Sequence, residues 1–320
     1  SVTGTTGRAD KSMGTLASTG GNGGLGGALA SPGQAGAVNV SSNTIFIKYH
    51  ASAYSCSSSA NVANGRVSNS GSGLYLGWDT TRIVFSSDTN WPTLNATSGS
   101  MTVLSLTGNN RNQMVRNLII SGNGQSSVTG VSLASARAKA EFVKVTGVAT
   151  GFSMAGFTTG AIAVDCQADA CTGAGFVSTS TPQGRIERCS VTALSTAAAI
   201  GFQVTSGTLV DCIASGSGQA LGYTLTTSAA TNCVAYGFSG AAGGRGFNLS
   251  GGGGGGACDL ANCIAYGCYT LFFYATNVDM YTCLRNCAGG DAGIGGIFSG
   301  VNTGQRPGFI TLTADPFTSA

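Results

Sequence analysis

The residues of this chain best suited to chemistry are three charged ones at a fixed spacing. Asp165, Arg188 and Asp211 each stand immediately before a cysteine, and successive members are 23 residues apart. If that spacing is one turn of a stacked repeat, the two carboxylates lie two turns apart, at roughly 9–10 Å for strands about 4.7–4.9 Å apart. That is close to the separation an inverting glycosidase uses between its acid and its base. Arg188, however, would lie between them. A guanidinium paired with both carboxylates favours their charged forms and removes the proton a general acid needs. A structural charge column is the better account of these three residues.

Other chemistry is thinly supplied. His50 is the single histidine, and it precedes the regular part of the chain, where a surface or capping role suits it. Asp165, Asp169 and Asp211 have no fourth acidic neighbour in register, while calcium takes six to eight oxygen ligands. No metal and no cofactor is expected. Gly21-x-Gly23-x-x-Gly26 formally matches a dinucleotide fingerprint, but no strand precedes it and no helix follows. The eleven cysteines are an odd number, so at least one thiol is free or intermolecular. Cys-x4-Cys recurs at Cys166/Cys171, Cys258/Cys263 and Cys263/Cys268, yet a zinc site is not expected with one histidine.

The spacing of the charged residues belongs to a longer pattern. An apolar residue, two mostly polar ones, then a small or apolar residue, x, apolar, recurs with fourth residues Leu118, Val143, Cys166, Cys189, Cys212, Cys233, Cys263 and Cys283. The first residues of the same units are Val115, Ala140, Ala163, Ile186, Leu209, Ala230, Leu260 and Met280. The residues before the fourth are Asn117, Phe142, Asp165, Arg188, Asp211, Asn232, Asn262 and Thr282. Between these units runs a second pattern, a glycine followed by Val131, Phe152, Phe176, Phe202, Tyr223 and Phe247, then Phe273 after Phe272. Two registers sharing one period of 20 to 50 residues indicate a stacked repeat. Each unit offers two apolar-x-apolar stretches and no room for a helix, so the expected coil is two or three short strands. The fold class expected is all-β, a single-stranded parallel β-helix solenoid with about 23 residues per coil.

The columns then take on roles. Phe152, Phe176, Phe202, Tyr223, Phe247 and Phe273 would stack inside the tube, and the glycine before each suits a sharp corner at φ > 0. Cys166, Cys189, Cys212, Cys233 and Cys263, with Cys283 as sixth, would form an inward thiol column, buried cysteine behaving as a small hydrophobe. A row of reduced thiols favours a reducing compartment for folding. Cys56, Cys171, Cys258, Cys268 and Cys287 lie off that column and are free to pair.

Residues 43–124 add a likeness. Through 43–48, 76–82, 91–94 and 115–124 the chain resembles the opening coils of bacterial and bacteriophage right-handed parallel β-helix proteins of the pectin-lyase type. The resemblance covers roughly 43–300. It implies a right-handed helix and, in longer members, coils continuing beyond this C-terminus. It says little about activity, because the fold hosts lyases, hydrolases, phage spikes and adhesins alike.

Read in order, residues 1–42 are a Gly/Ser-rich arm or attachment segment, and 43–300 are the β-helix, with opening and capping coils over 43–114 and regular coils over 115–300. Strands are expected at 45–48, 65–68, 73–77, 83–85 and 101–106. The glycines of 251–256 form an inserted loop, and 301–320 give a terminal strand and turn. Net charge is +3 with no basic run, which argues against nucleic acid. No apolar run is long enough to span a membrane. The chain begins at Ser1 rather than Met, leaving a removed leader open.

Aromatic residues are the remaining signal. Tyr236, Tyr266, Tyr269, Tyr274 and Tyr281 gather in the last coils, with Trp78 and Trp91 near the start, and surface rings can hold a sugar or anchor a protein. Several would equally serve as core. The function expected is a non-enzymatic structural or adhesive β-helix of a bacteriophage virion: a spike, fibre or surface decoration. It would assemble in the host cytoplasm, contact other subunits through residues 1–42, form a homotrimer as such spikes often do, and touch a host surface glycan. The alternatives are a secreted polysaccharide lyase or glycoside hydrolase, and a bacterial extracellular filament subunit or adhesin at the cell surface.

Overall fold

A short strand with one apolar face pairs best with a copy of itself, so that like side chains meet in rows. In the computed structural model the described residues fold this way. The chain is an all-β parallel β-helix of about seven turns, with about 24 residues per turn. The structure describes residues 54–56, 60–62, 91, 93–108, 114–135, 138–154, 160–179, 184–241, 243–250, 257–274, 283–290, 296–299 and 308–317, and no helix occurs among them. The arm at 1–42 and the strands expected at 45–48, 65–68, 73–77 and 83–85 lie outside the described residues, as do His50 and Trp78.

The chain divides into two compact units, Ser1–Gln167 and Ala168–Ala320. In the first, β1 (Tyr54–Cys56), β3 (Thr93–Ala96), β5 (Met114–Ser121), β7 (Lys139–Thr146) and β9 (Ile162–Val164) pair parallel in succession. A second ladder runs through β2 (Ala60–Val62), β4 (Ser100–Gly108), β6 (Ser127–Ser135) and β8 (Thr150–Ser153). Register places Leu94, Ile120 and Val145 in one row, and Leu104, Val131 and Phe152 in another. All six are fully buried.

The second unit builds each coil from three strands on three faces. The first face is β12 (Arg185–Glu187), β15 (Thr208–Val210), β18 (Ala229–Thr231), β21 (Asp259–Ala261) and β24 (Cys283–Arg285). The second is β13 (Ser190–Leu194), β16 (Ile213–Gly216), β19 (Val234–Tyr236), β22 (Ile264–Tyr266), β25 (Ala288–Gly290) and β27 (Ile310–Thr311). The third is β11 (Ala174–Ser178), β14 (Ile200–Thr205), β17 (Leu221–Thr226), β20 (Arg245–Ser250), β23 (Thr270–Tyr274) and β26 (Gly296–Ser299). Ile186, Leu209, Ala230, Leu260 and Leu284 line the interior of the first face, all fully buried. Ala230 pairs with Leu260 and Val234 with Ile264 in register; residues 251–256, expected as an inserted loop, lie outside the described residues.

The aromatic row stacks as expected, with one correction. Phe176, Phe202, Tyr223 and Phe247 lie ring on ring at 4.6–5.1 Å and 8–11° from parallel. Phe272 continues the row at 5.2 Å and 7°, whereas Phe273 pairs with Asn248 one position along. Leu271 stands where earlier coils have glycine, so that coil lacks the glycine marker. Tyr223 fits among phenylalanines because its buried hydroxyl lies 2.7 Å from the Cys212 carbonyl oxygen and 3.0 Å from that of Val234.

Two further expectations change. The glycines before the rings are not at positive φ. They are needed because the third face presses on the second: a Cβ at Gly222 would lie 2.6 Å from the Gly246 carbonyl oxygen and 3.1 Å from Ala235 Cβ. The last coil is also shifted by four residues. Cys283 pairs with Asp259 on the first face, so Leu284, Asn286 and Cys287 take the places expected of Met280, Thr282 and Cys283. Within 301–320 the described residues are 308–317, with a two-residue strand at Ile310–Thr311 and a turn at 316–317.

Candidate functional site

In Ala168–Ala320 the corner between the first and second faces holds Arg188 and Asp211, and it has a backbone rule that Asp165 of Ser1–Gln167 also obeys. Arg188, Asp211, Asn232, Asn262 and Asn286 have φ of 47°, 55°, 55°, 54° and 52°, and in the first unit Asn117, Phe142 and Asp165 have 55°, 53° and 53°. Each precedes an inward residue, so the chain must reverse its side-chain alternation there. Among non-glycine residues Asn and Asp adopt this left-handed conformation most readily. The type of residue at Asp165 and Asp211 therefore has a conformational cause.

Hydrogen bonds tie the corner together. The amides of Arg188, Asp211, Asn232 and Asn262 donate to carbonyl oxygens of the following coil at 2.9–3.0 Å. Outside, Asn232 Nδ2 donates to Asp211 Oδ1 at 2.9 Å, and Asn262 Nδ2 to Asn232 Oδ1 at 3.3 Å. Asp211 thus begins a side-chain amide ladder. Arg188 Nη1 lies 3.7 Å from Glu187 Oε2, and Glu187 is also paired with Arg185. Arg285 forms two bonds to Asp259, at 3.2 and 2.5 Å. In the first unit Arg116 and Lys139 both approach Glu141, at 3.9 and 3.3 Å. Asp169 accepts from the Thr192 hydroxyl at 2.8 Å.

The second face has a different character. Its outward rows read Ile213, Val234, Ile264, Ala288, Ile310 and, beside them, Ser215, Tyr236, Tyr266, Gly290. Neither row contains a charge. Among the described residues the large hydrophobics that remain exposed are Ile213 at 49%, Tyr236 at 36%, Ile310 at 57% and Phe317 at 43%. Three belong to this face, and Phe317 meets it by packing edge-on against Tyr236 at 5.1 Å and 79°. Of the aromatic candidates, Tyr236 and Tyr266 stand together, ring centroids 6.3 Å apart and 7° from parallel. Tyr266 is buried at 9%, Tyr269 and Trp91 are half-buried, and the side chain of Tyr274 lies outside the described set. The apolar strip is one the sequence pattern does not announce, although Cys-Ile-Ala, Cys-Val-Ala and Cys-Ile-Ala at 212–214, 233–235 and 263–265 carry it as an outward Ile or Val.

The thiols are internal. Cys166, Cys189, Cys212, Cys233, Cys263 and Cys287 follow the corner and are buried and unbridged, as are Cys171, Cys258 and Cys268, for which the spacing alone leaves pairing open. These three occupy other inward positions; Cys56 is described only as part of β1. The hydrogen bond with Cys233 and then burial hold the Cys212 thiol far above its ordinary range, and burial pushes Cys268 up to about 12. A thiol raised by burial, as Cys268 and Cys258 are, stays protonated and is a poor nucleophile. Among the described residues no group of three or more His, Cys, Asp or Glu is placed to hold a metal ion, and no helix is long and apolar enough to cross a membrane.

Pectate lyase Pel9A superposes on 97% of this chain and 78% of its own, with a TM-score of 0.57 at 13% identity. The chain has the fold of the pectate-lyase-type parallel β-helix. Other similar structures are the A-module of the Azotobacter vinelandii mannuronan C-5 epimerase AlgE6 (11% identity, 85% and 91% covered, TM-score 0.41) and tailspike protein 3 of bacteriophage CBA120 (12%, 84% and 52%, 0.36). At these identities the likeness is one of fold. No protein-family model matches the sequence, and no curated protein does.

Proposed function

We propose that this β-helix is a structural and adhesive component of a bacteriophage particle, a spike, fibre or surface decoration, and that it works by contact rather than by catalysis. The observation that carries the reading is the second face of Ala168–Ala320. An uncharged strip of Ile213, Val234 and Ile264 runs beside Tyr236, with Ile213 and Tyr236 exposed and Val234 and Ile264 half-buried, flanked by the polar ladder Asp211–Asn232–Asn262. Exposed apolar surface with a polar border is the anatomy of a contact site. The acidic residues that invite a catalytic reading sit where the backbone wants Asn or Asp. Residues 1–42 as the attachment to other subunits, a homotrimer, and a host glycan as the thing touched belong to the same proposal.

The test uses purified protein with pectin, alginate and bacterial capsule extracts. Contact without catalysis leaves polymer length unchanged, with no new reducing ends or unsaturated products, while some polymer is retained. Cleavage that disappears in Asp211→Asn would replace this reading with a polysaccharide-degrading enzyme. Negative-stain images of particles labelled with antibody to the protein test the virion assignment; unlabelled particles refute it.

A further inference from the structure

The last described residues turn back over coils already built. Gly308, at φ +71°, turns the chain so closely under Asn286 that a Cβ would collide with its side-chain oxygen. Phe309 then meets Phe272 edge-on, at 5.8 Å and 84°, where Phe272 meets Phe247 within 7° of parallel. The amides of Ile310 and Leu312 donate to the carbonyl oxygens of Cys287 and Gly289 at 2.9 and 2.8 Å. Among the described residues, these backbone bonds to the preceding coil stop at Leu312.

The residues after Leu312 reach back to a side chain 79 positions earlier than Asp315. The Tyr236 hydroxyl donates to Asp315 Oδ2 at 3.0 Å, and the Phe317 ring meets the Tyr236 ring edge-on. Asp315 Oδ1 accepts the Phe317 N–H at 2.8 Å, which fixes the turn that presents the ring. The attachment is slight beside the coils it crosses: residues 313, 314, 316 and 317 are exposed, whereas the interior rows are fully buried. Regions with few buried apolar contacts open at far lower free energy than the core.

We infer that residues 313–317 are a latch that opens independently of the coils, and that its opening frees the Tyr236 ring and hydroxyl on the contact face. The latch engages Tyr236 and leaves Ile213 bare, so closed and open states present different surfaces to a partner. That consequence for contact rests on the adhesive reading; the opening itself does not. The hydrogen bond to the Asp315 carboxylate and the aromatic edge of Phe317 both favour the closed state, and removing either shifts it toward open.

Nitration of the full chain with tetranitromethane, site by site, tests this. Tyr236 should react slowly in the native protein and about tenfold faster in Asp315→Asn or Phe317→Ala, the shift that about 1.4 kcal/mol produces. Tyr223, fully buried, is the internal standard and should stay unmodified in all three. Equal Tyr236 rates in native and variant chains would overturn the latch. So would Tyr236 and Tyr223 rising together, because the segment would then open only with the whole fold. Polymer retention measured on the same variants reads the adhesive proposal separately: faster nitration without any change in retention keeps the latch and removes its role in contact.

Discussion

The coils of Ser1–Gln167 and those of Ala168–Ala320 solve one geometric problem with different fillers. In the first unit the row on the long ladder is Leu104, Val131, Phe152, and the residues after the corner are Leu118, Val143 and Cys166. In the second unit the equivalent positions are five stacked rings and a run of cysteines from Cys189 to Cys287. The strands differ as well. β5 and β7 run eight residues straight through the corner, whereas the second unit divides there into separate short strands. The corner backbone is nonetheless the same in both, with φ near +50°. The fold is thus set by the corner and the register, and the interior accepts any filler of the right volume.

The largest expected effect comes from emptying the ring row. Phe202→Ala removes the middle of the stack and should cost about 3–5 kcal/mol, with Leu104→Ala in the first unit costing about 2–5. Because each coil leans mainly on its neighbours, the loss should be local. Amide exchange should quicken in β11, β14 and β17 for Phe202→Ala, and in β4 and β6 for Leu104→Ala. Uniform acceleration through both units would mean that fillers are not interchangeable locally, and the contrast would fail.

Crowding comes next. Gly222→Ala puts a Cβ against the Gly246 carbonyl oxygen and Ala235, and should cost about 1–3 kcal/mol by overpacking. Gly124→Ala, in the first unit, meets nothing within 4 Å but has φ +76°, so only about 1 kcal/mol of backbone strain is expected. Urea unfolding of the two variants separates these causes: a larger loss at Gly124 would show that face-to-face contact does not select glycine at 222.

The thiols give a pH dependence. Cys268 has its folded pKa raised from 9.0 to about 12 by burial. Above pH 9 the unfolded chain releases this proton and the folded one does not, so the unfolded state binds fewer protons and stability falls as pH rises. The loss should run from about pH 9 to about 12, deepened by Cys258, whose thiol is also raised by burial. Cys268→Ala should flatten part of that slope in thermal melts. An unchanged slope would refute burial as its cause.

The same contrast explains which features are legible in the sequence. Rings and cysteines at one step reveal the second unit, because a rare residue in a repeated place is visible where Leu, Val and Ile are not. At the last coil the same signal misleads. Cys283 offers a cysteine at a tolerable step, while the corner rule, which demands a residue able to adopt positive φ, points to Asn286 rather than Thr282. Phe273 passes for the stacked ring in place of Phe272 because no glycine precedes the pair. The corner candidates Asp165, Arg188 and Asp211 share a positive φ, and that backbone conformation is invisible in the sequence. The contact of Asp315 and Phe317 with Tyr236 has no local sequence signal, since neither periodicity nor spacing links positions so far apart.

The smallest expected effect bears most on function. Asp211→Asn keeps a residue that tolerates φ near +55° and can still accept from Asn232 Nδ2, so its stability should change by no more than about 0.5 kcal/mol. Asn232→Gly should also be mild, because glycine supplies the corner conformation while giving up two ladder bonds, whereas Asn232→Val, β-branched and strained at positive φ, should cost about 1–2 kcal/mol. The order Val, then Gly, then Asn at these corners, from most to least damaging, is what a conformational ladder requires. A catalytic column would give another pattern: Asp211→Asn, silent in thermal melts, would abolish a polysaccharide cleavage that Asn232→Gly leaves intact. Measuring melts and product formation on the same three variants decides whether the second unit's polar corner differs from the first unit's in chemistry or only in filler.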